Sequence, residues 1–294
     1  MTLTETREAE IDNRVHRAQR IAELDSAAGA ENFPVASRLL PARHRKRVIA
    51  FYRYARYADD IADTPRAQRA EQLAQLDRLE EALVGRDGPG VGMDLFRALG
   101  EGRADCDKMA LDAARQLLVA FRRDVDGTRC ADWADLMSYC DHSAAPVGRF
   151  LLAIHGEDSR TYPPSDALCA VLQVLNHCQD ISSDWQNLGR RYLPGDWMQE
   201  EGADDHNLSR SRMPPPLQRV LERTLQSCDA LLDRAAPLPR LISARGLRAQ
   251  AGATLFLARR LRARLHGADP LARRVALQRP DFLRAGIVGL WSAR

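Results

Sequence analysis

QVLNHCQDISSD, residues 173–184, sets Asn176, Asp180 and Asp184 four residues apart, with Gln173 three before the first. At about 100° per residue, a helix gathers these four side chains into an arc of roughly 80°. Leu168, Val171, Leu172, Leu175 and Cys178 fall on the opposite side. An ordinary amphipathic helix with a wet polar face would look similar. Solvated faces, however, usually mix both signs of charge. Between Arg160 and Arg190 there is no lysine or arginine, in a chain that carries 43. A stripe of amides and carboxylates alone calls for a cation.

A second acidic helix precedes it. From Pro41, a residue suited to a first helical turn, a helical pattern runs to Asp63. Val48, Phe51, Tyr54, Ala55, Ala58, Ile61 and Ala62 share its apolar face; Tyr52, Arg56, Asp59 and Asp63 share another. Asp59-Asp60-Ile61-Ala62-Asp63 is a DDxxD run. Acidic pairs at this spacing are common on surfaces, so either helix alone says little. Facing each other, they would bring five carboxylates and the Asn176 amide together, and mutual repulsion would raise the acids' pKa values. Oxygen-only ligands suit a hard ion, and no histidine or cysteine is expected on either acidic face to favour zinc or iron. Mg2+ binds through few carboxylates plus substrate phosphates, which predicts a diphosphate between the helices. Arg56 has two readings: a fork of donors for phosphate oxygens, or a salt bridge to Asp59, Asp60 or Asp63. Beneath such a cap the helices offer apolar side chains and no evident base or nucleophile. That setting suits ionisation of a diphosphate ester, with a Lewis-acid metal on the leaving group, a dry pocket around the carbocation and aromatic faces to stabilise it.

The remaining chain bounds this expectation. Its 294 residues, 45% hydrophobic, are enough for a large core. No alternating strand pattern stands out, so the fold is expected to be all-α. Helices are expected over 66–84, 93–100, 107–125 and 139–154, the last kinked or interrupted by Pro146. Further helices are expected from 163 to about 189, 214–235, 241–265, 269–278 and 281–291, with loops at 85–92 and 200–213. Residues 1–30 read as a polar N-terminal helix or tail, and 31–294 as one domain. Six cysteines without a CxxC pair read as reduced thiols. No apolar run approaches 18 residues and no secretory h-region is seen, which predicts a cytoplasmic protein. From Arg240 onward, 12 arginines face only Asp269 and Asp281. This basic region would suit anionic lipid at the inner membrane surface, diphosphate or nucleic acid, or would simply be a solvated helix face.

These residues resemble the squalene and phytoene synthases, head-to-head prenyl synthases with the all-α isoprenoid synthase fold, a helical bundle around a central apolar cavity. The likeness rests on LLP at 39–41, YRYARYADDIAD at 52–63, YC at 139–140, QVLNHCQDISSD at 173–184 and RRYLP at 190–194. It implies that Asp59, Asp63, Asn176, Asp180 and Asp184 bind Mg2+ and diphosphate. It also implies that Tyr139, Arg56 and Tyr52 line the reaction centre, and that Phe33, Gln173, Arg191 and Tyr192 bind substrate. Within the family, ENFPVASRLLP and YCDHSAAPVGRFLL are most similar to the hydroxysqualene synthase branch of bacterial hopanoid pathways. That branch converts presqualene diphosphate to hydroxysqualene, with water as the quenching reagent, so neither NADPH nor nucleic acid is expected as a partner. Ala30 and Asn32 stand where many members carry serine, and Ser143-Ala144-Ala145 replaces the usual Val-Ala-Gly, which favours action on an already condensed diphosphate. The alternatives are an NADPH-dependent squalene synthase, a presqualene diphosphate or phytoene synthase, and a non-catalytic assembly factor that kept the fold.

Overall fold

The computed structural model describes residues 42–64, 68–102 and 104–294. The expected N-terminal helix or tail, Phe33 and the LLP motif at 39–41 lie outside these residues. Everything described is helix, turn or loop; the one ladder contact is an isolated parallel bridge between Arg129 and Arg191.

Helix α1 spans Ala42–Ala62. It buries Val48, Phe51, Tyr54, Ala58 and Ile61, recurring every three or four residues as one helical face demands. Phe51 stacks on Phe150 with ring centroids 3.9 Å apart. The fully buried Tyr54 satisfies its hydroxyl by donating to the Ala114 carbonyl at 3.1 Å. Helices α2 (Arg69–Leu83) and α3 (Gly90–Ala98) follow. The Gln72 side chain donates to the Ile61 and Ala62 carbonyls at 2.7 and 3.2 Å, satisfying the end of α1.

Helix α4 (Asp105–Val125) packs on α6 (Ala145–His155). The expected helix at 139–154 is two: α5 (Trp133–Ser143) and α6, broken at Ala144. Pro146 sits in the first turn of α6, where its missing N–H costs nothing. Helix α5 starts earlier than expected because Asp132 caps it, accepting from the Asp135 amide at 2.8 Å. Helix α7 (Tyr162–Gln179) lies against α6 and against α10 (Pro215–Ala235). Gly148 permits the approach to α6: a Cβ there would fall 2.3 Å from Ser165 Oγ. Helix α8 (Ile181–Leu188) is separate from α7, so the expected single helix to about 189 is interrupted at Asp180. Helix α9 (Gly195–Glu200) ends where the polar loop expected at 200–213 begins. After α11 (Leu238–Leu241), helix α12 (Arg245–Leu265) pairs with α13 (Arg279–Ser292).

The expected helix at 269–278 does not form. Asp269 turns its carboxylate onto the Leu271, Ala272 and Met213 amides, each at 3.1 Å, and the chain then runs without helix to Gln278. Gln179 donates to the Val275 carbonyl and fixes that segment beside the C-terminal end of α7.

Candidate active site

Asp59 and Asp60 occupy the last turn of α1, and Asp63 follows it. Negative charge at the carbonyl end of a helix is unfavourable, so these acids need cations. Arg56 bridges Asp59 at 3.2 Å and Asp60 at 3.1 Å, which is the salt-bridge reading of that residue. Arg190, 6% exposed, pairs with Asp63 at 2.5 Å and donates to the Ala62 carbonyl at 2.9 Å. Burial first, then the Asp63 carboxylate, pushes the Asp59 carboxyl up to about 7. Its side chain keeps 38% exposure, so water screens part of the crowding.

The second row lies around the α7–α8 break. Asp180 leaves helical geometry at φ −104°, ψ 14°, yet its amide still donates to the Asn176 carbonyl at 2.9 Å. The Asp184 amide donates to the Asp180 carbonyl at 2.8 Å, keeping the three residues on one near-continuous ladder. Arg274 grips Asp180 with two N–H groups, at 2.5 and 3.1 Å. The acidic face does hold a histidine, against expectation: His177 Nδ1 lies 3.6 Å from Asp184 Oδ2, and its Nε2 lies 3.1 Å from the Gln173 amide nitrogen. His177 follows Gln173 by four residues within unbroken helix, so helical spacing itself sets it at the edge of the stripe.

A buried junction joins the rows. Asp124, in the last turn of α4, accepts from Tyr139 at 2.8 Å, Tyr192 at 3.1 Å and Thr128 at 2.7 Å. Burial drives its carboxyl upward in pKa, and Arg190 pulls against that rise. Arg190 also donates to the Asp124 carbonyl at 3.3 Å. The Tyr192 ring stacks on His177 at 3.5 Å and lies 5.2 Å from the Tyr139 ring. A chain of contacts therefore links the rows: Asp63 to Arg190, Arg190 to the Asp124 carbonyl, the Asp124 carboxylate to Tyr192, the Tyr192 ring stacked on His177, and His177 beside Asp184.

The structure thus brings Asp59, Asp63, Arg56, Tyr139, Tyr192, Gln173 and Asp184 onto or next to these contacts, while Asn176 and Asp180 stand on the same helical row as Gln173 and Asp184. Tyr52 sits half-buried one turn before Arg56. Arg191 turns elsewhere: it donates to the Cys130 and Leu193 carbonyls at 3.2 and 2.7 Å and pairs with Asp205 at 3.1 Å. Its neighbour Arg190 is the arginine that meets the acids. Asp124 and Arg190 are site residues that periodicity did not single out. Asp124 carried one usable signal, an acid in the last turn of a helix, where the macrodipole opposes it.

Among the described residues, no three His, Cys, Asp or Glu side chains stand close enough together to hold a metal ion. Arginines occupy the carboxylates instead. The donor set nevertheless fits a hard cation. Asn176 Oδ1 is buried with no hydrogen-bond partner, an unmet acceptor flanked by carboxylates of the same row.

The squalene/phytoene synthase family model matches residues 26–281. A hydroxysqualene synthase from Rhodopseudomonas palustris is 40% identical over 256 residues, covering 87% of this chain and 86% of that one. The hydroxysqualene synthase of Sinorhizobium fredii is 37% identical over 263 residues, covering 90% and 89%. Among solved structures, squalene synthase HpnC from Alicyclobacillus acidocaldarius superposes with a TM-score of 0.69 at 28% identity, covering 83% of this chain and 91% of that one. A dehydrosqualene synthase in complex with ligand matches in fold, with a TM-score of 0.72 at 21% identity over 92% of this chain and 95% of that one.

Proposed function

The chain belongs to the squalene/phytoene synthase family, and we propose that it is a prenyl-diphosphate-processing enzyme converting presqualene diphosphate to hydroxysqualene. The observation that carries this is the chain of contacts through Asp124, Tyr192 and His177 between two acidic rows, with Arg190 on the first row and Arg274 on the second. Hydroxysqualene synthases among its relatives, at 36–40% identity over most of the chain, support the choice of product.

In this reading Asp59, Asp63, Asn176, Asp180 and Asp184 would hold Mg2+. When bound, that ion would neutralise the diphosphate and draw electron density from the leaving oxygen. Arg56, Arg190 and Arg274 each already grip a carboxylate, so an arriving diphosphate gives them a second anion of matching geometry. The carbon–oxygen bond breaks, and diphosphate departs with the electron pair. The cation left behind is a cyclopropylcarbinyl species held against apolar and aromatic surface. Tyr192 and His177 present stacked ring faces next to the acids, with Tyr139 beside them. After rearrangement, water adds its oxygen to the carbon and loses a proton, giving the alcohol without a reductant.

Purified protein with Mg2+ tests this against presqualene diphosphate and farnesyl diphosphate, each with and without NADPH. Hydroxysqualene from presqualene diphosphate alone is the expected result. Squalene formed only with NADPH, or presqualene diphosphate or phytoene formed from shorter diphosphates, would reassign the reaction. Asp180→Asn is expected to lower turnover at least on the order of a hundredfold with unchanged helix content.

A further inference from the structure

Helix α13 is two-faced in an unusual way. Asp281, Ala285 and Gly289 form its buried side, and this side is narrow because the residues are small. A Cβ on Gly289 would meet the Ala249 carbonyl oxygen at 2.7 Å, so α13 lies close against α12. The opposite side carries Leu283, Ile287, Leu290 and Trp291 at spacings of four, three and one, which is a single helical stripe. These are 72%, 60%, 61% and 69% exposed, and the adjacent Phe282 is 41% exposed. Half of the large exposed hydrophobic residues among those described thus crowd onto one 14-residue helix. Isolated exposed leucines need no explanation; a contiguous stripe does.

Charge identifies what the stripe meets. Arg279, Arg284 and Arg294 flank it, and Arg294 lies over the Trp291 ring at 5.4 Å. An open groove of about 820 Å3 runs between α12 and α13, edged by Arg240, Arg248 and Arg259, with no Asp or Glu side chain in its lining. Arg240, Arg259, Arg279 and Arg284 make no ion pair among the described residues, although the chain elsewhere pairs its arginines freely. Aliphatic side chains, a tryptophan and unpaired arginines on one surface match the layered chemistry of a bilayer boundary: acyl chains below, phosphates above. No described helix is long and apolar enough to cross a membrane, so the contact is one of lying on the surface.

We propose that the α13 stripe, with the arginines around it, docks this protein on membrane surfaces rich in anionic phospholipid. Leu283, Ile287, Leu290 and Trp291 enter the acyl boundary while Arg279, Arg284 and the groove arginines engage headgroup phosphates. The proposal does not depend on which diphosphate the active site turns over.

The test is cosedimentation of the full chain with vesicles of phosphatidylcholine alone and of phosphatidylcholine mixed with phosphatidylglycerol. Binding to the mixed vesicles is expected to be stronger by on the order of tenfold or more and to weaken with salt. Ile287→Glu with Leu290→Glu, and separately Arg279→Glu with Arg284→Glu, are expected to reduce that binding by a similar factor while the melting curve holds. Trp291 emission should shift to the blue on adding mixed vesicles, and Trp291→Phe should remove that shift even if the glutamate variants fold poorly. Failure of the wild-type chain to sediment, or equal binding by the glutamate variants, overturns the proposal. So does a solution dimer that Ile287→Glu with Leu290→Glu converts to monomer, because the stripe would then be covered by a second copy.

Discussion

Arg190 holds together charges that would otherwise repel. It is nearly fully buried and touches Asp63, the Ala62 carbonyl and the Asp124 carbonyl. Arg190→Ala would leave Asp63 and Asp124 without their shared cation, so unfolding free energy is expected to fall by about 2–4 kcal/mol in urea titrations. Arg190→Lys keeps the charge but not the fork, and should recover only part of the loss. Asp59 gives a pH signature of its own. Its folded pKa stands near 7, above the ordinary carboxylate value. A group raised in this way favours the fold below the unfolded pKa, and its contribution is lost as pH rises through the folded pKa. Ion-free protein should therefore lose stability between about pH 4 and pH 7 and level off above that, and Asp59→Asn should flatten the decline. Because bound Mg2+ needs the ionised carboxylate, the melting temperature gained on adding Mg2+ should be larger at about pH 8 than at about pH 6. A gain equal at both values would remove Asp59 from the ion site.

At the scale of elements, closeness between α6 and α7 depends on one missing side chain. A Cβ at position 148 would lie 2.3 Å from Ser165 Oγ and 2.8 Å from Cys169 Sγ. Gly148→Ala is expected to cost about 1–3 kcal/mol by urea unfolding, and adding Ser165→Ala should return part of it. The helices were legible wherever periodicity ran long: α1, α4, α7, α10 and α12 each bury residues spaced three and four apart. Where tertiary hydrogen bonds compete, local pattern misled. Residues 269–278 read as helical, yet Asp269 spends its carboxylate on amides and Gln179 takes the Val275 carbonyl. That segment carries Arg274 to Asp180, a pairing across 94 residues that no local pattern encodes. Within the site, the aligned acids were readable because helical spacing alone aligns them. Arg56 was readable with them, one turn away on the same helix; Arg190 was not, since RRYLP does not say which guanidinium turns inward, and Asp124 sits in a charged FRRDVDG stretch that reads as surface.

Across the whole molecule, three arginines on three segments each hold an acid of the two rows: Arg56 on α1, Arg190 after α8, and Arg274 before α13. A cation entering alone must compete with guanidinium groups for the carboxylates. A diphosphate entering alone must approach through carboxylates that are only partly neutralised. Arriving together, the cation takes the acids and the diphosphate takes the released arginines, so each lowers the cost of binding the other. Coupling of this kind is reciprocal and is read as a shift beyond the sum of the separate effects. Inorganic pyrophosphate serves as the probe, since it has the charged head group and no chain to ionise. Mg2+ with pyrophosphate is expected to raise the melting temperature by more than the two separate rises added together. The excess should shrink in Arg274→Gln, where Asp180 is open to metal without exchange, and in Asp180→Asn, where the metal loses a ligand. Strict additivity in the wild-type chain would mean that the arginines and the ion do not share these carboxylates, and the two acidic rows would then be joined only as a scaffold.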